Sequence, residues 1–135
     1  MKPLARVAVV ATVLAGFLTG CKSSTTGPNM VPVKGTVNLD GKSMDGGEIR
    51  FILPGQPAVV IEIKNGAFSG NAPAGKNRVE VVWDQDGPPN PMDPSTRIKV
   101  NTVAPQYSGA NTILSADVPS AGATDLKFDV TSVRR

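Results

Sequence analysis

The chain has 135 residues, 40% of them hydrophobic and 19% charged, with 14 Gly, 12 Pro, a single Cys and no His. That inventory excludes histidine-dependent catalysis, histidine metal sites and any disulfide within one chain. The formal net charge of +3 rests mostly on the first residues: without Lys2 and Arg6, 12 basic residues face 11 acidic ones.

The amino-terminal stretch reads as a targeting segment. Lys2 and Arg6 form a positive n-region, and the uncharged apolar run from Val7 to Leu18 follows it. A transmembrane helix needs roughly 20 apolar residues, so this run fits a signal-peptide core instead. It closes on Leu18-Thr19-Gly20-Cys21. This quartet resembles the bacterial lipobox, which implies cleavage between Gly20 and Cys21 and acylation of the Cys21 thiol. The alternative is an ordinary secretory signal with a spare thiol, but an unpaired cysteine in a secreted chain invites intermolecular disulfides. Residues 1–20 are therefore expected to be a lipoprotein signal peptide. Residues 21–32 are polar and turn-prone after Cys21, a tether spanning roughly 18 Å. Lys22, where an Asp would signal retention at the inner membrane, favours an outer-membrane placement. The expected location is extracytoplasmic, with the membrane as partner through the Cys21 anchor.

From Val33 to about residue 131 the apolar residues recur with a period of two. Val33, Val37 and Leu39 alternate with Lys34, Thr36 and Asn38. Ile49, Phe51 and Leu53 follow, then Val59, Ile61 and Ile63, then Val79, Val81 and Trp83. Ile98 and Val100 keep the phase among Arg97, Lys99 and Asn101, as do Leu114, Ala116 and Val118, and finally Leu126, Phe128 and Val130. Strand side chains point alternately to opposite faces, so each set lines a buried face while the intervening charges meet water. Asp40-Gly41 and Asn65-Gly66 are two-residue hairpin signals. Further breaks fall at Gly46-Gly47, Pro54-Gly55, Pro73-Ala74-Gly75 and Gly87-Pro88-Pro89. The pattern predicts an all-β, seven- to eight-stranded antiparallel β-sandwich with Val37, Phe51, Ile61, Val81, Val100 and Phe128 in its core.

The order of these segments resembles a known family. Val33-Lys34-Gly35-Thr36-Val37-Asn38-Leu39-Asp40-Gly41-Lys42, Gly46-Gly47-Glu48-Ile49-Arg50-Phe51, Asn65-Gly66-Ala67-Phe68 and Pro73-Ala74-Gly75-Lys76-Asn77-Arg78-Val79-Glu80-Val81 are similar to the carboxypeptidase regulatory-like, or transthyretin-like, modules of bacterial surface proteins. The chain looks most like the short lipoproteins of this type found in planctomycetes. Val103-Ala104-Pro105-Gln106-Tyr107 and Leu126-Lys127-Phe128-Asp129-Val130 are similar to their terminal segments, Ala104 being an extra residue. The resemblance implies a prealbumin-like or Ig-like sandwich and no activity or cofactor.

The candidate chemistry is sparse. Gly41-Lys42-Ser43 lacks the earlier glycine and the helix of a phosphate-binding loop, so Lys42 is read as a solvated hairpin residue. No histidine accompanies the serines as a base, and Cys21 is consumed by lipid, so no catalytic set is expected. Glu48, Glu62 and Glu80 fall on the polar phase and are read as solvated. Nucleic acid is excluded because the cations are scattered singly. Asp84 to Ser95, carrying Pro88, Pro89, Pro91 and Pro94, is expected to be a surface loop. In it Asp84, Asp86 and Asn90 offer oxygens to a cation, although no calcium-loop pattern is present and no metal site is assigned. Phe51 and Phe128 are expected to be structural. Trp83, Asp84, Asp86 and Tyr107 are the candidate ligand contacts, with core packing the alternative for Trp83 and Tyr107. The reading that follows is a lipid-anchored structural or protein-interaction module of the cell envelope. A small-ligand or carbohydrate-binding module on the same anchor is the alternative.

Overall fold

A computed structural model describes residues 27–134. The cleavage between Gly20 and Cys21 and the acylation of Cys21 expected from the sequence fall outside the described residues. Ten strands are formed in it: β1 (Met30–Leu39), β2 (Lys42–Ser43), β3 (Glu48–Ile52), β4 (Val59–Glu62), β5 (Ala67–Pro73), β6 (Gly75–Val82), β7 (Asp84–Asn90), β8 (Asp93–Asn101), β9 (Ser115–Val118) and β10 (Ala123–Val130). A 3₁₀ turn covers Pro105–Tyr107.

The strands form two layers and a separate ribbon. In the first sheet β1 is central, with β10 on one side and β5 and β2 on the other; the second sheet runs β4-β3-β6-β9. The expected turns are present: Asp40 and Gly41 have φ of 52° and 79°, and Asn65 and Gly66 of 51° and 76°. Both central residues of a type I′ turn need positive φ, which these residue pairs supply.

The predicted phase holds where the sequence assigns one within the two sheets, and Val31, Phe68 and Ala72 join the inner faces although the alternation does not assign them. Val31, Val33 and Val37 of β1, Phe68 and Ala72 of β5, and Phe128 and Val130 of β10 are buried from the first sheet. Ile49 and Phe51, Ile61, Val79 and Val81, and Ala116 and Val118 meet them from the second. Phe68 lies between Phe51 and Phe128, with ring centroids 5.9 and 6.2 Å away. Gly35 is required where the layers are tightest: a Cβ there would overlap the Leu126 carbonyl oxygen and come within 2.7 Å of Phe68 Cζ.

Four details differ from the sequence expectation. The sandwich stands, but β1 and β10 pair in parallel, Val37 opposite Phe128. β1 starts at Met30, so the last three residues read as tether pair with β5, and Val31 enters the core at 4% exposure. Val100 is 41% exposed and belongs to no core, because β8 lies outside both layers. Glu80 is buried, not solvated; Arg78 pairs with it at 3.2 Å and the register sets Arg50 opposite it. Long cationic side chains thus cover part of the outer face that alternation assigns to water.

Candidate functional site

The segment expected to be a loop is instead the β7–β8 hairpin, and its construction explains why its prolines are tolerated. Among the described residues each of its strands pairs only with the other. Pro88 and Pro89 fall where the register breaks between Asp86 and Pro89. Proline is confined to edges and bulges because it cannot donate to a ladder, and a two-stranded ribbon is all edge. Pro91 and Met92 form the tip, where Asn90 Oδ1 accepts the Met92 N–H at 3.0 Å and Asp93 Oδ1 accepts that of Ser95 at 3.1 Å.

The hairpin leaves the sandwich at the end remote from Met30. Met30 pairs with Pro73, and the Ala74 N–H donates to the Asn29 carbonyl, so the start of β1 lies beside the start of β6. β6 then runs the length of the sandwich, roughly 26 Å for its eight residues. Trp83 follows at its far end. There its N–H donates to Asn101 Oδ1 at 3.0 Å, and its carbonyl accepts the Thr102 N–H at 2.9 Å and the Thr102 hydroxyl at 3.0 Å.

At this far end a groove of about 530 Å³ opens on the outer face of the second sheet, between Trp83, Asp84, Glu48, Glu62, Val60 and Val82. The register of β3 with β4 and β6 sets Glu48 between Glu62 and Val82. Two of the three carboxylates carry counter-ions: Glu48 pairs with Arg50 at 3.0 Å and Glu62 with Lys64 at 2.9 Å. These pairs are substantially exposed, so each is worth at most about 1 kcal/mol. Their oxygens stay available to hydroxyl or amine donors.

Trp83 is half-buried against the Gly46-Gly47 bend, where a Cβ on Gly46 would lie 3.3 Å from the indole Nε1. The groove can therefore offer an anchored indole beside carboxylate oxygens. That combination suits a saccharide face or another small polar ligand.

The structure brings Trp83 and Asp84 together here but not the other two candidates. Asp86 faces across the hairpin to Lys99, whose ammonium donates to it and holds its carboxyl below the ordinary value of 3.8, with Arg97 adding attraction. Asn90 is occupied at the tip. Among the described residues no group of three or more Asp, Glu, His or Cys is placed to hold a metal ion. Tyr107 is 9% exposed and packs in the core, which leaves little of its ring to a ligand. Glu48, Glu62 and Val60 were not among the candidates, because only the cross-strand register brings them to Trp83. A second groove, of about 590 Å³, lies around Lys34, Thr36, Lys64, Ser69 and Thr124 and shares Glu62 with the first, but none of Trp83, Asp84, Asp86 or Tyr107 lines it. No helix among the described residues is long and apolar enough to cross a membrane.

The chain is an all-β sandwich protein with a protruding hairpin. A solved structure of a DUF3823 family protein from Parabacteroides merdae is similar over 78% of this chain, with 14% identity and a TM-score of 0.46. The match covers 48% of that protein, so the chain spans about half its length. The sequence matches no protein-family model and no curated protein.

Proposed function

We propose that this chain is a non-enzymatic, lipid-anchored module of the cell envelope whose role is structural or protein-interacting. The observation that carries the interaction role is the β7–β8 ribbon, exposed along almost its whole length and set at the end of the sandwich away from Met30. An isolated two-stranded ribbon is marginally stable at best in water, and this one adds nothing to the core. It also keeps Ile98 and Val100 about 40% exposed and Met92 93% exposed. An anchor on Cys21 would tether the opposite end, so the hairpin would point away from the membrane. The placement of Cys21 directly after a signal-type apolar run supports the anchor.

The test has two parts. Mass spectrometry of the mature protein should find acylated Cys21, and Cys21→Ala should release the protein from membranes. A photo-crosslinker at position 98 in cells should give a discrete protein adduct. Free Cys21 thiol removes the anchor from this reading, and absence of an adduct removes the interaction role.

The Trp83 groove favours a second reading, a small-ligand or carbohydrate-binding module. A saccharide that binds only the native state adds RT ln(1 + [L]/Kd) to the stability and so raises the unfolding temperature as its concentration rises. Loss of that shift in Trp83→Ala would place the ligand in the groove.

A further inference from the structure

The two edges of the ribbon differ in what they offer. β7 carries Pro88 and Pro89, which lack N–H groups, and its pairing is broken there. β8 from Ser95 to Asn101 contains no proline and pairs only with β7 among the described residues. Along it Thr96, Ile98 and Val100 lie on one face and Arg97, Lys99 and Asn101 on the other.

We infer that the free edge of β8 is a docking edge for an extended segment of another protein in which apolar and acidic residues alternate. The inference rests on the interaction-module reading and names the partner's chemistry. A strand added to an edge gains main-chain hydrogen bonds, and its alternate side chains meet the two faces of the host strand. Apolar residues of the incoming strand would lie beside Ile98 and Val100, and carboxylates beside Arg97 and Lys99. Both cations have capacity to spare. Lys99 bonds Asp86 and remains 65% exposed, and Arg97 gives one N–H to the Gly87 carbonyl at 3.1 Å. An ammonium has three donors and a guanidinium five.

A second copy of this chain is the wrong occupant for the same reason. Antiparallel pairing of two β8 strands about Ile98 sets Arg97 of one copy opposite Lys99 of the other, and parallel pairing sets cations beside cations. Like charges directly opposite destabilise a strand pair. The competing role for Arg97 and Lys99 is protective, since cations on an edge deter unwanted pairing.

The experiment titrates the full-length protein in detergent with two short labelled peptides, one alternating valine and glutamate and one alternating valine and lysine. The glutamate peptide should bind about tenfold more tightly than the lysine peptide. The double variant Arg97→Glu with Lys99→Glu should reverse that preference. If reversal disorders the hairpin by NMR, the neutral pair Arg97→Gln with Lys99→Gln serves instead and should abolish the preference. Equal binding of both peptides, or of neither, overturns the inference, as does self-association through the hairpin. Should both peptides fail while position 98 still gives its adduct in cells, the docking edge is lost and the interaction module stands. Failure of the adduct as well removes both.

Discussion

Asn101 closes the base of the hairpin onto Trp83: its Oδ1 accepts the Trp83 N–H at 3.0 Å and also the Val103 N–H at 3.1 Å. One side-chain oxygen thus satisfies two part-buried donors where the chain enters the ribbon from β6 and leaves it after β8. Replacing it leaves both donors without that acceptor. Asn101→Ala should therefore cost about 1–3 kcal/mol in denaturant unfolding, with faster amide exchange at Trp83 and Val103, whereas Asn101→Asp keeps an acceptor and should cost less. An alanine variant as stable as the wild type would show that water replaces the clamp without penalty.

The three phenylalanines make the second test. Phe51 is fully buried and Phe68 and Phe128 nearly so, their rings in series across the two layers. Phe51→Ala, Phe68→Ala or Phe128→Ala should each cost on the order of 3–5 kcal/mol through lost burial and the cavity left behind. Because the middle ring touches both others, the Phe51 and Phe68 losses should be non-additive in a double-mutant cycle. Strict additivity there would contradict the packing.

Much of this core is legible in the sequence, since period-two alternation picks out on the buried face Val33 and Val37 of β1, Ile49 and Phe51 of β3, Val79 and Val81 of β6, and Phe128 and Val130 of β10. Alternation cannot say what covers that face. Ile98 and Val100 show the same pattern as Val79 and Val81, yet they stay exposed because, among the described residues, no second layer reaches the hairpin. Proline content misleads at Pro88 and Pro89 because the rule against proline concerns central strands, and β7 is not one. The parallel pairing of Val37 with Phe128 and the approach of Glu48 and Glu62 to Trp83 arise from register between distant segments. Met44, fully buried next to the short strand β2, follows no periodic signal at all.

Since the hairpin lies outside the sandwich, its removal should be nearly neutral. Replacing residues 86–99 by a short Gly-Ser connection retains the Asp84–Asn101 and Gln85–Val100 pairs and touches none of the buried core. Stability should change by less than about 1 kcal/mol, because closure entropy depends only slowly on loop length. Global unfolding of the shortened protein would mean that the ribbon supports the sandwich.

Acid should weaken the ion pair that spans the hairpin. The Lys99 ammonium, by hydrogen bond and charge, holds the Asp86 carboxyl below its ordinary value of 3.8 in the folded chain. A carboxyl depressed by folding contributes stability above its unfolded value and loses it as the pH falls through its folded one. The Asp86 carboxyl resonance should therefore titrate below about pH 4, accompanied by faster exchange of hairpin amides. In Lys99→Met the titration should move up toward the ordinary value. A midpoint unchanged by that substitution would show that the ion pair is not populated in solution.

The neighbouring glycines beneath Trp83 make the sharpest contrast, and the lone tryptophan of the sequence reports it directly by fluorescence. Gly47 has a φ of +104°, and a Cβ there would lie 2.6 Å from the Val82 carbonyl oxygen and 3.0 Å from Trp83 Cβ. Gly46 has no positive φ, and its added Cβ would meet only the indole, at 3.3 Å from Nε1. Gly47→Ala must therefore strain the backbone and displace the end of β6, at a cost of order 1–3 kcal/mol and with a red shift of Trp83 emission as the ring gains water. Gly46→Ala asks only a few tenths of an ångström of the ring, so it should leave stability within about 0.5 kcal/mol while perturbing the emission. Equal losses at the two positions would show that the bend holds the indole by something other than the Gly47 backbone, and the groove wall would have to be rebuilt on that basis.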